Sequence, residues 1–306
     1  MTAPSGGVTG GGVTSGGAPD DGAVGRTGAR AMPTVSELRA QGARVERWGS
    51  WYAAEHMLLT LRAWIVSVVI AGLGSPILYL LAMGLGLATL IDSDAATGPD
   101  GPVPYVQFLA PALLATAVVQ AAFEECSFPI MGGFKWRLHF WALHATPVNP
   151  RQIATGAVIT ASARMVMNAV LFYVVMLAFG VVPDLATGWL SMGAGLLGGW
   201  AFGLLVMAYT ASLRDDAGQL TVLMRCVFTP MFLFSGTFYP LSATPVWLQP
   251  IGWVSPLWHA SELGRAATYG TSDPWWLVVL RVVYLVALSG LGLWLARRSF
   301  ARRMAL

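Results

Sequence analysis

Long stretches without a charged side chain are the feature that most restricts what this chain can fold into. Three of them contain no Asp, Glu, Lys or Arg at all, between Arg62 and Asp92, Asp100 and Glu124, and Asp184 and Arg214. Three more contain a single arginine, from Arg151 to Asp184, from Asp216 to about Phe238, and from Trp275 to Ala296. A helix of about 20 apolar residues crosses the roughly 30 Å hydrocarbon core of a bilayer. The pattern therefore predicts an all-α integral membrane protein with six transmembrane helices.

Composition divides the chain into a tail, a surface helix and a membrane domain. Charged residues make up 11% of the 306 residues, about half the fraction usual in a soluble domain. Residues 1–34 are rich in Gly, Ser, Thr and Pro and are predicted to be a disordered cytoplasmic tail. The membrane domain is predicted at 63–306. Its spans are expected at about 64–91, 103–124, 152–180, 186–212, 217–238 and 275–296.

Residues 35–62 show helical periodicity, but charged residues interrupt them too often for a membrane span. Four of their apolar side chains fall within an arc of about 60° when the segment is drawn as a helix. These are Val45, Trp48, Tyr52 and Leu59. The pattern predicts an amphipathic interfacial helix, with an ordinary cytosolic helix as the alternative.

The positions of Lys and Arg in the short connections predict the orientation. Basic residues lie before the first span, after the second span and in the C-terminal tail, at Arg39, Arg44, Arg47, Arg62, Lys135, Arg137, Arg151, Arg297, Arg298, Arg302 and Arg303. With six spans all of them lie on one side, so both termini are predicted to be cytoplasmic. The segment between Tyr239 and Tyr269 carries four prolines and three tryptophans, which favours short re-entrant outer helices. A seventh span there would place the arginine-rich tail outside.

Motifs for nucleotide, hydrolytic and metal chemistry are missing from the sequence. A P-loop requires Gly-Lys-Ser/Thr, and the only lysine, Lys135, follows Phe134. Neither H-E-x-x-H nor G-x-S-x-G occurs. His139 and His144 are spaced i and i+5 without a third ligand nearby, so no metal site is predicted. We expect no directly bound cofactor, and a net charge of +3 gives no reason to expect nucleic acid as a partner.

Arginines inside the predicted spans leave two interpretations open. An arginine at the bilayer centre costs about 3 kcal/mol on insertion scales. Arg164, Arg225 and Arg281 either extend to a membrane interface or contribute to a translocation path or a subunit contact. Cys126 and Cys226 are far apart in sequence, match no zinc spacing and are interpreted as packing residues.

Four segments of the chain resemble a known membrane family in order and spacing. They are SPILYLLAMGLGL (Ser75 to Leu87), YVQFLAPALLATAVVQAAFEE (Tyr105 to Glu125), ALHATPVNPRQIATG (Ala142 to Gly156) and FLFSGTFYPLSATPVWLQPIGWVSPLWHASELGR (Phe232 to Arg265). The chain resembles the type 2 ATP-binding-cassette (ABC) exporter permeases from residue 50 to the C-terminus. Within that class it is most similar to permeases that export nodulation lipo-oligosaccharides or daunorubicin-like drugs.

The resemblance implies a fold, partners and a location. It implies six helices per subunit, a connecting helix before the first, a coupling helix between the second and third, and short outer helices before the sixth. Such permeases pair with a second permease, an identical copy or a close relative, and with two cytosolic ABC ATPase subunits that bind ATP and Mg. The expected location is the lipid of a bacterial plasma membrane. The expected cargo is a hydrophobic, amphipathic or lipid-linked molecule moved outwards.

The resemblance also implies two groups of functional positions. The coupling helix corresponds to Phe134–Ala145. Its expected ATPase contacts are Phe134, Lys135, Trp136, Arg137, Leu138, His139 and Trp141, with Glu124 at the inner end of the second span. The expected outer gate consists of Phe238, Tyr239, Pro240, Trp258 and His259.

Two other classes of function remain open at this point. An intramembrane lipid-modifying enzyme would use Glu124, Glu125, His259 or Glu262 as its acid or base. The predicted orientation places the first two inside and the last two outside. A passive channel would need polar residues along the spans, which are nearly all apolar.

Overall fold

The computed structural model describes residues 34–62, 65–82, 86, 96–98, 101–270 and 273–305. The chain divides into two units, Met1–Ala40 and Gln41–Leu306. Of the first unit only Thr34 to Ala40 is described, and it is helical from Val35. The predicted disordered tail, apart from Thr34, and most of the predicted outer loop at 92–100 lie outside the described residues.

Helices form almost all of the regular structure in the described part of the chain. In chain order the elements are α1 (Val35–Arg62), α2 (Ile65–Leu81), β1 (Ala96–Gly98), β2 (Gly101–Val103), α3 (Tyr105–Cys126), α4 (Phe128–Phe134), α5 (His139–His144), α6 (Pro150–Ala178), α7 (Leu190–Ser212), α8 (Gln219–Leu223), α9 (Thr229–Phe234), α10 (Gln249–Val254), α11 (Pro256–Tyr269) and α12 (Trp275–Met304). A π-helical turn (Met224–Phe228) joins α8 to α9, and a 3-10 turn (Leu241–Ala243) precedes α10. The two strands form a short antiparallel hairpin. The architecture is that of an all-α membrane protein.

Four helical segments of the described residues are long and apolar enough to cross a membrane. They are α3 continued by α4 (Tyr105–Phe134), α6, α7 and α12. Gly42–Thr60 and Ile65–Leu81 form a bent pair, which makes five segments if the pair is counted as one. Gln219–Phe234 is apolar but shorter. The predicted first span, 64–91, lies partly outside the described residues, and the count of six spans stays a prediction.

Helix α7 lies at the centre of the packing, in contact with α3, α11 and α12. Its glycines permit this close approach. A Cβ on Gly203 would lie 2.8 Å from the Cβ of Ala122 in α3, and a Cβ on Gly198 would lie 2.6 Å from the Cβ of Ala260 in α11. In a bilayer, where helix association gains little from the hydrophobic effect, small residues of this kind allow the close contacts that hold helices together.

Helix α1 is attached to α6 through small residues. Ala53 and Ala54 are fully buried. A Cβ on Gly156 of α6 would lie 2.8 Å from the Cβ of Ala53 and 2.9 Å from the backbone nitrogen of Ala54. In addition, Nε2 of Gln152 donates a hydrogen bond to the carbonyl of Glu46 at 2.8 Å. The two helices are therefore so close that backbone atoms of α1 lie in contact with α6.

Three of the four apolar side chains predicted to share one side of α1 are exposed, whereas the fourth, Val45, is partly buried against the core. Trp48, Tyr52 and Leu59 are 51%, 45% and 61% exposed. An interfacial helix turns its large apolar side chains towards lipid, and the interfacial position of α1 stays a prediction. The side of α1 that contacts the rest of the protein combines the small residues Gly49, Ala53 and Ala54 with Val45 and Met57, which are partly buried against the core.

Replacing Gly156 by alanine is expected to destabilise the contact between α1 and α6. The added methyl group meets Ala53 and backbone atoms of α1, which cannot move aside independently. We expect a loss of about 1–3 kcal/mol in the free energy of unfolding, measured by thermal unfolding in detergent.

Gly193→Ala in α7 is the matched control for Gly156→Ala. A Cβ on Gly193 has no atom within 4 Å, so this substitution retains only the helix-favouring effect of alanine. Equal melting temperatures for the two variants would show that the α1–α6 contact accommodates the added methyl group without a loss of stability.

Candidate functional site

The connection between α3 and α6 forms two short helices with a turn between them. The sequence predicts one helix over Phe134–Ala145, and this prediction is wrong in its extent, because Phe134 ends α4 and the next helix is α5. The cause is Leu138, whose backbone is left-handed with φ of 54°. Its carbonyl accepts hydrogen bonds from the amides of Trp141 and Ala142 and so begins α5. We call residues 135–138 the coupling turn.

Buried aromatic rings hold the coupling turn from beneath. Phe134 and Phe140, on either side of it, are 3% and 1% exposed, and their ring centroids lie 4.8 Å apart. Phe300 of α12 is fully buried and lies 4.9 Å from Phe134 and 5.3 Å from Phe140. Trp141 donates from Nε1 to the carbonyl of Phe134 at 3.0 Å. These contacts give the turn a rigid base.

The coupling turn itself is exposed. Lys135 and Arg137 are exposed, and Trp136 and Leu138 are 58% and 51% exposed. Lys135 pairs with Asp215 in the connection after α7. Aromatic and arginine side chains of this kind are enriched in protein interfaces, and a rigid base reduces the entropy lost on binding. The turn therefore has the properties of a docking site for a protein partner.

Glu124, which the resemblance implied as an ATPase contact, pairs in the structure with an arginine of α6. Arg164 donates from Nη2 to Oε2 of Glu124 at 2.7 Å and from Nη1 to Oε2 of Glu125 at 2.8 Å. Arg164 is thereby paired with two carboxylates at the end of α3. The interpretation of Arg164 as a side chain that merely extends to an interface is incomplete, because it connects two helices.

A cavity of about 710 Å³ lies between α1, α2, α4, α5 and α6, beside these carboxylates. Its lining combines apolar side chains with polar ones, among them His56, Glu125, Trp136, Arg137, His139 and Arg164. The volume is within the usual range for small-molecule sites. Because Trp136 and Arg137 belong to the coupling turn, a movement of that turn would change the shape of the cavity.

His139 is expected to make the stability of this region dependent on pH. Its partial burial, then the nearby His56 and Arg137, lower its pKa from 6.5 to about 4. Between these pH values the unfolded chain binds a proton that the folded chain does not, so the free energy of unfolding should fall as the pH falls from 6.5 towards 4. The full shift corresponds to about 3 kcal/mol, which solvent screening at a partly exposed ring reduces to about 1–2 kcal/mol.

Thermal unfolding of the wild type and of His139→Gln between pH 4 and 7 tests this expectation. The variant should lose less stability than the wild type as the pH falls, while the difference between the two should be constant above pH 6.5. Parallel curves over the whole range would contradict it.

Among the described residues, no group of three or more His, Cys, Asp or Glu side chains is placed to hold a metal ion.

The residues predicted for the outer gate lie close together. The rings of Phe238 and Phe232 are 4.9 Å apart, and the hydroxyl of Tyr239 donates to the carbonyl of Leu233. The backbone turns at Gly236, with φ of 69°. A Cβ on Gly236 would lie 3.3 Å from the ring of Trp258 in α11. Pro240 follows this turn directly, and the segment is therefore packed onto the start of α11.

His259 follows Trp258 in the first turn of α11, and the centroids of the two rings lie 4.8 Å apart. Its Nε2 lies 2.9 Å from the carbonyl of Trp253, and its ring centroid lies 4.4 Å from that of Tyr284 in α12. The hydroxyl of Ser235 donates to that of Ser255, the N-cap of α11, at 2.7 Å. These contacts join the segment after α9 to α10, α11 and α12.

Arg265 is the functional candidate that sequence reasoning did not single out. It is 3% exposed, and its guanidinium lies 3.7 Å from the ring centroid of Phe108 in α3. It donates to Glu262 at 2.6 Å and to the backbone carbonyls of Phe108 and Gly236 at 3.2 and 2.7 Å. The available signal was the single arginine of the outer segment, three residues after its single acid, Glu262. Arg265 ties the predicted gate to the start of α3.

The other arginines and the cysteines differ in their environment. Arg281 is 3% exposed and pairs at 2.6 Å with Asp273, which precedes the start of α12. Arg225 lies exposed in the π-helical turn. Cys126 is buried, as predicted, whereas the prediction for Cys226 is wrong because this residue is exposed.

The residues considered for an intramembrane enzyme lie at opposite ends of α3. Glu124 and Glu125 are in its last turn, whereas Glu262 is bound by Arg265, which contacts Phe108 in the first turn. Sixteen residues of helix separate Phe108 from Glu124, a distance of about 24 Å. These carboxylates cannot act together as one acid and base pair.

The family model described as ABC-2 type transporter matches residues 53–269, more than half of the chain. Similar relatives are Nodulation protein J of Rhizobium leguminosarum bv. viciae, of R. leguminosarum bv. trifolii and of Rhizobium meliloti (strain 1021), with 27%, 28% and 26% identity. The alignments cover 66%, 65% and 66% of this chain and 75%, 72% and 74% of the relatives. No solved structure matches the chain.

Proposed function

The chain belongs to the ABC-2 type transporter family, and from this premise we propose that it moves a hydrophobic, amphipathic or lipid-linked cargo outwards across a bacterial inner membrane. Family membership makes the chain the membrane permease of an ABC exporter, which is the transport subunit and not the ATPase. An ABC ATPase is the implied partner. The cargo is a drug, a glycolipid or an oligosaccharide taken from the cytoplasm or the inner leaflet.

The proposal extends to the assembly. Two ATPase subunits bind ATP and Mg on the cytoplasmic side, where both termini of the permease lie. A second permease, an identical copy or a close relative, completes the pathway. Both permeases cross the membrane six times, and Arg164 and Arg225 belong to the translocation path or to the contact between permeases.

The coupling turn is the observation that carries this proposal. It presents Lys135, Trp136 and Arg137 on the surface while Phe134 and Phe140 are buried beneath it. A docking element that transmits force must be exposed to its partner and rigidly connected to the helices that move. The turn satisfies both requirements. Closure of the ATPase dimer then pushes the turn and opens the outer gate at Phe238, Tyr239, Pro240, Trp258 and His259.

Reconstitution in liposomes tests the proposal. The permease is incorporated with its ATPase, without it, and with an ATPase variant that binds but does not hydrolyse ATP. Transport of amphipathic and lipid-linked candidate cargoes is then measured. ATP-dependent transport is expected only with the active ATPase. Transport that persists fully without the ATPase, or ion flux through the permease alone, would contradict the proposal.

A further inference from the structure

Helix α12 contacts the base of the coupling turn at its C-terminal end. The fully buried ring of Phe300 lies against Phe134 and Phe140, at 4.9 and 5.3 Å between centroids. The guanidinium of Arg303 lies 4.1 Å from the ring centroid of Phe134. α12 is therefore in direct contact with the coupling region although more than 150 residues of sequence separate Phe134 from Phe300.

Arg303 also joins the ends of two other helices. Its Nη1 donates to the carbonyls of Thr210 and Ala211 at 3.4 Å, and its Nη2 donates to the carbonyl of Arg214 at 3.3 Å. Thr210 and Ala211 lie in the last turn of α7 and Arg214 follows it, where helix carbonyls lack the full set of backbone donors. One side chain thus holds the end of α7 against the aromatic base of the coupling turn.

The opposite end of α12 contacts the segments around the predicted outer gate. Arg281 pairs with Asp273 at 2.6 Å and approaches Glu262 of α11 to 3.9 Å. The hydroxyl of Tyr284 donates to the carbonyl of Val254 at the end of α10 at 2.5 Å. Polar contacts therefore attach α12 to both α10 and α11.

The continuity of α12 makes it suitable for transmitting movement between these ends. It has 30 residues and contains no proline, which corresponds to a continuous rod of about 45 Å. By contrast, α3 contains Pro111 and ends at Cys126, before α4. Proline and a break in the backbone hydrogen bonds allow a helix to bend. A displacement at the coupling turn thus reaches the other end of α12 within one unbroken helix, whereas α3 ends before α4 begins.

We propose that Phe300 and Arg303 are positioning residues that connect the coupling turn to α12, and that α12 carries the movement of the turn to the outer gate. This inference rests on the proposed function, since it requires an ATPase that moves the turn. The role of the two residues is to keep α12, α7 and the coupling turn in contact, so that they move together.

Arg303→Gln and Phe300→Ala test the inference, with Arg302→Gln as the matched control. Arg302 is the adjacent residue, loses the same charge and is exposed. Reconstituted complexes are compared for transport per ATP hydrolysed. We expect a decrease of about tenfold or more for Arg303→Gln and Phe300→Ala, and less than about twofold for Arg302→Gln. Arg303→Lys retains the cation above Phe134 but not the planar guanidinium. Its transport per ATP should lie between that of Arg303→Gln and that of Arg302→Gln.

A spectroscopic measurement separates this role from a general loss of structure. Spin labels at Trp247, before α10, and at Trp276, at the start of α12, report the outer gate in a background with Cys126→Ala and Cys226→Ser. Addition of ATP to the wild-type complex should change their distance. In Arg303→Gln the distance should stay constant although the ATPase still binds, as measured by co-purification.

The outcomes distinguish the inference from the proposed function. If the wild-type complex shows no ATP-dependent transport, the proposed function itself fails. If the wild type transports and Arg303→Gln and Phe300→Ala transport equally well per ATP, or if their outer distance still responds to ATP, the role of α12 is refuted. A variant that loses ATPase binding is likewise evidence against it, because the inference places the defect after binding.

Discussion

Reversal of both charges of the coupling turn, by Lys135→Glu and Arg137→Glu together, is expected to abolish ATP-driven transport while the permease stays folded. Both side chains are exposed, and the fold loses only the exposed ion pair between Lys135 and Asp215. Such a pair contributes less than about 1 kcal/mol. At an interface, by contrast, charges of the wrong sign cost several kcal/mol, which corresponds to a loss of affinity of about a hundredfold or more.

Two control variants make this prediction specific. Asp215→Asn removes the same ion pair but leaves the basic turn unchanged, so it should couple as the wild type does. Arg298→Glu with Arg302→Glu reverses two other exposed bases on the same side and should also have little effect. The measurements are permease-stimulated ATP hydrolysis and cargo uptake in liposomes. Normal coupling in the doubly reversed turn would exclude it as the ATPase contact, and equal uncoupling by Asp215→Asn would make its role intramolecular.

Replacement of Arg265 by glutamine is expected to cause the largest loss of stability. Arg265 is 3% exposed and supplies hydrogen bonds to the carboxylate of Glu262 and to the carbonyls of Phe108 and Gly236. Without the guanidinium the carboxylate loses its nearest counter-charge, and two buried carbonyls lose their donors. Removing one partner of a buried ion pair costs about 3–5 kcal/mol. Thermal unfolding in detergent measures the effect.

Three further variants identify the cause of that loss. Arg265→Lys retains a positive charge but cannot reach several acceptors at once, so an intermediate loss is expected. Glu262→Gln combined with Arg265→Gln should recover part of the loss, because the uncompensated carboxylate is removed. Arg302→Gln, at an exposed position, should melt close to the wild type. If Arg265→Gln has the same melting temperature as Arg302→Gln, the hydrogen bonds of Arg265 contribute little to stability.

The same network explains why Arg265 is relevant to transport as well as to stability. The carbonyl of Gly236 belongs to the turn that leads to Phe238 and Tyr239, and the carbonyl of Phe108 belongs to α3. Tyr105 adds a hydrogen bond from its hydroxyl to the carbonyl of Phe238 at 3.1 Å. The predicted gate is thus attached to α3 at two points. An outward movement of the gate requires these bonds to break or α3 to follow.

Much of the fold was predictable from patterns that are local in the sequence. Two of the charge-free stretches correspond to the long apolar helices α3 and α7, and two of the stretches with a single arginine correspond to α6 and α12. Proline spacing predicted short helices before the last one, where α10 and α11 are found. The third span was predicted from about 152, and α6 begins two residues earlier, at Pro150 after the cap Asn149. Patterns of this kind are local because each depends on hydrophobicity or backbone preference within one segment.

The extent of the coupling helix illustrates where local patterns fail. Basic and aromatic residues at helical spacing suggested one helix from Phe134 to Ala145, yet Leu138 adopts a left-handed backbone that separates α4 from α5. A left-handed leucine is unfavourable by about 1–2 kcal/mol. Burial of Phe134 and Phe140 against Phe300 offsets this cost, and that contact depends on a residue of the last helix.

The sequence alone determined that this protein is a helical membrane permease of a recognisable family. The length of the apolar stretches and the order of the motifs are properties of consecutive residues and do not depend on tertiary contacts. The tertiary structure alone decided the distant partners of its charged residues. Arg164 binds Glu124 and Glu125, about 40 residues away, and Arg265 binds the carbonyl of Phe108, 157 residues away, in addition to its i,i+3 neighbour Glu262. A buried charge must find a counter-charge or a set of carbonyls wherever packing supplies them. That position follows from how the helices lie against one another, and no local pattern specifies it.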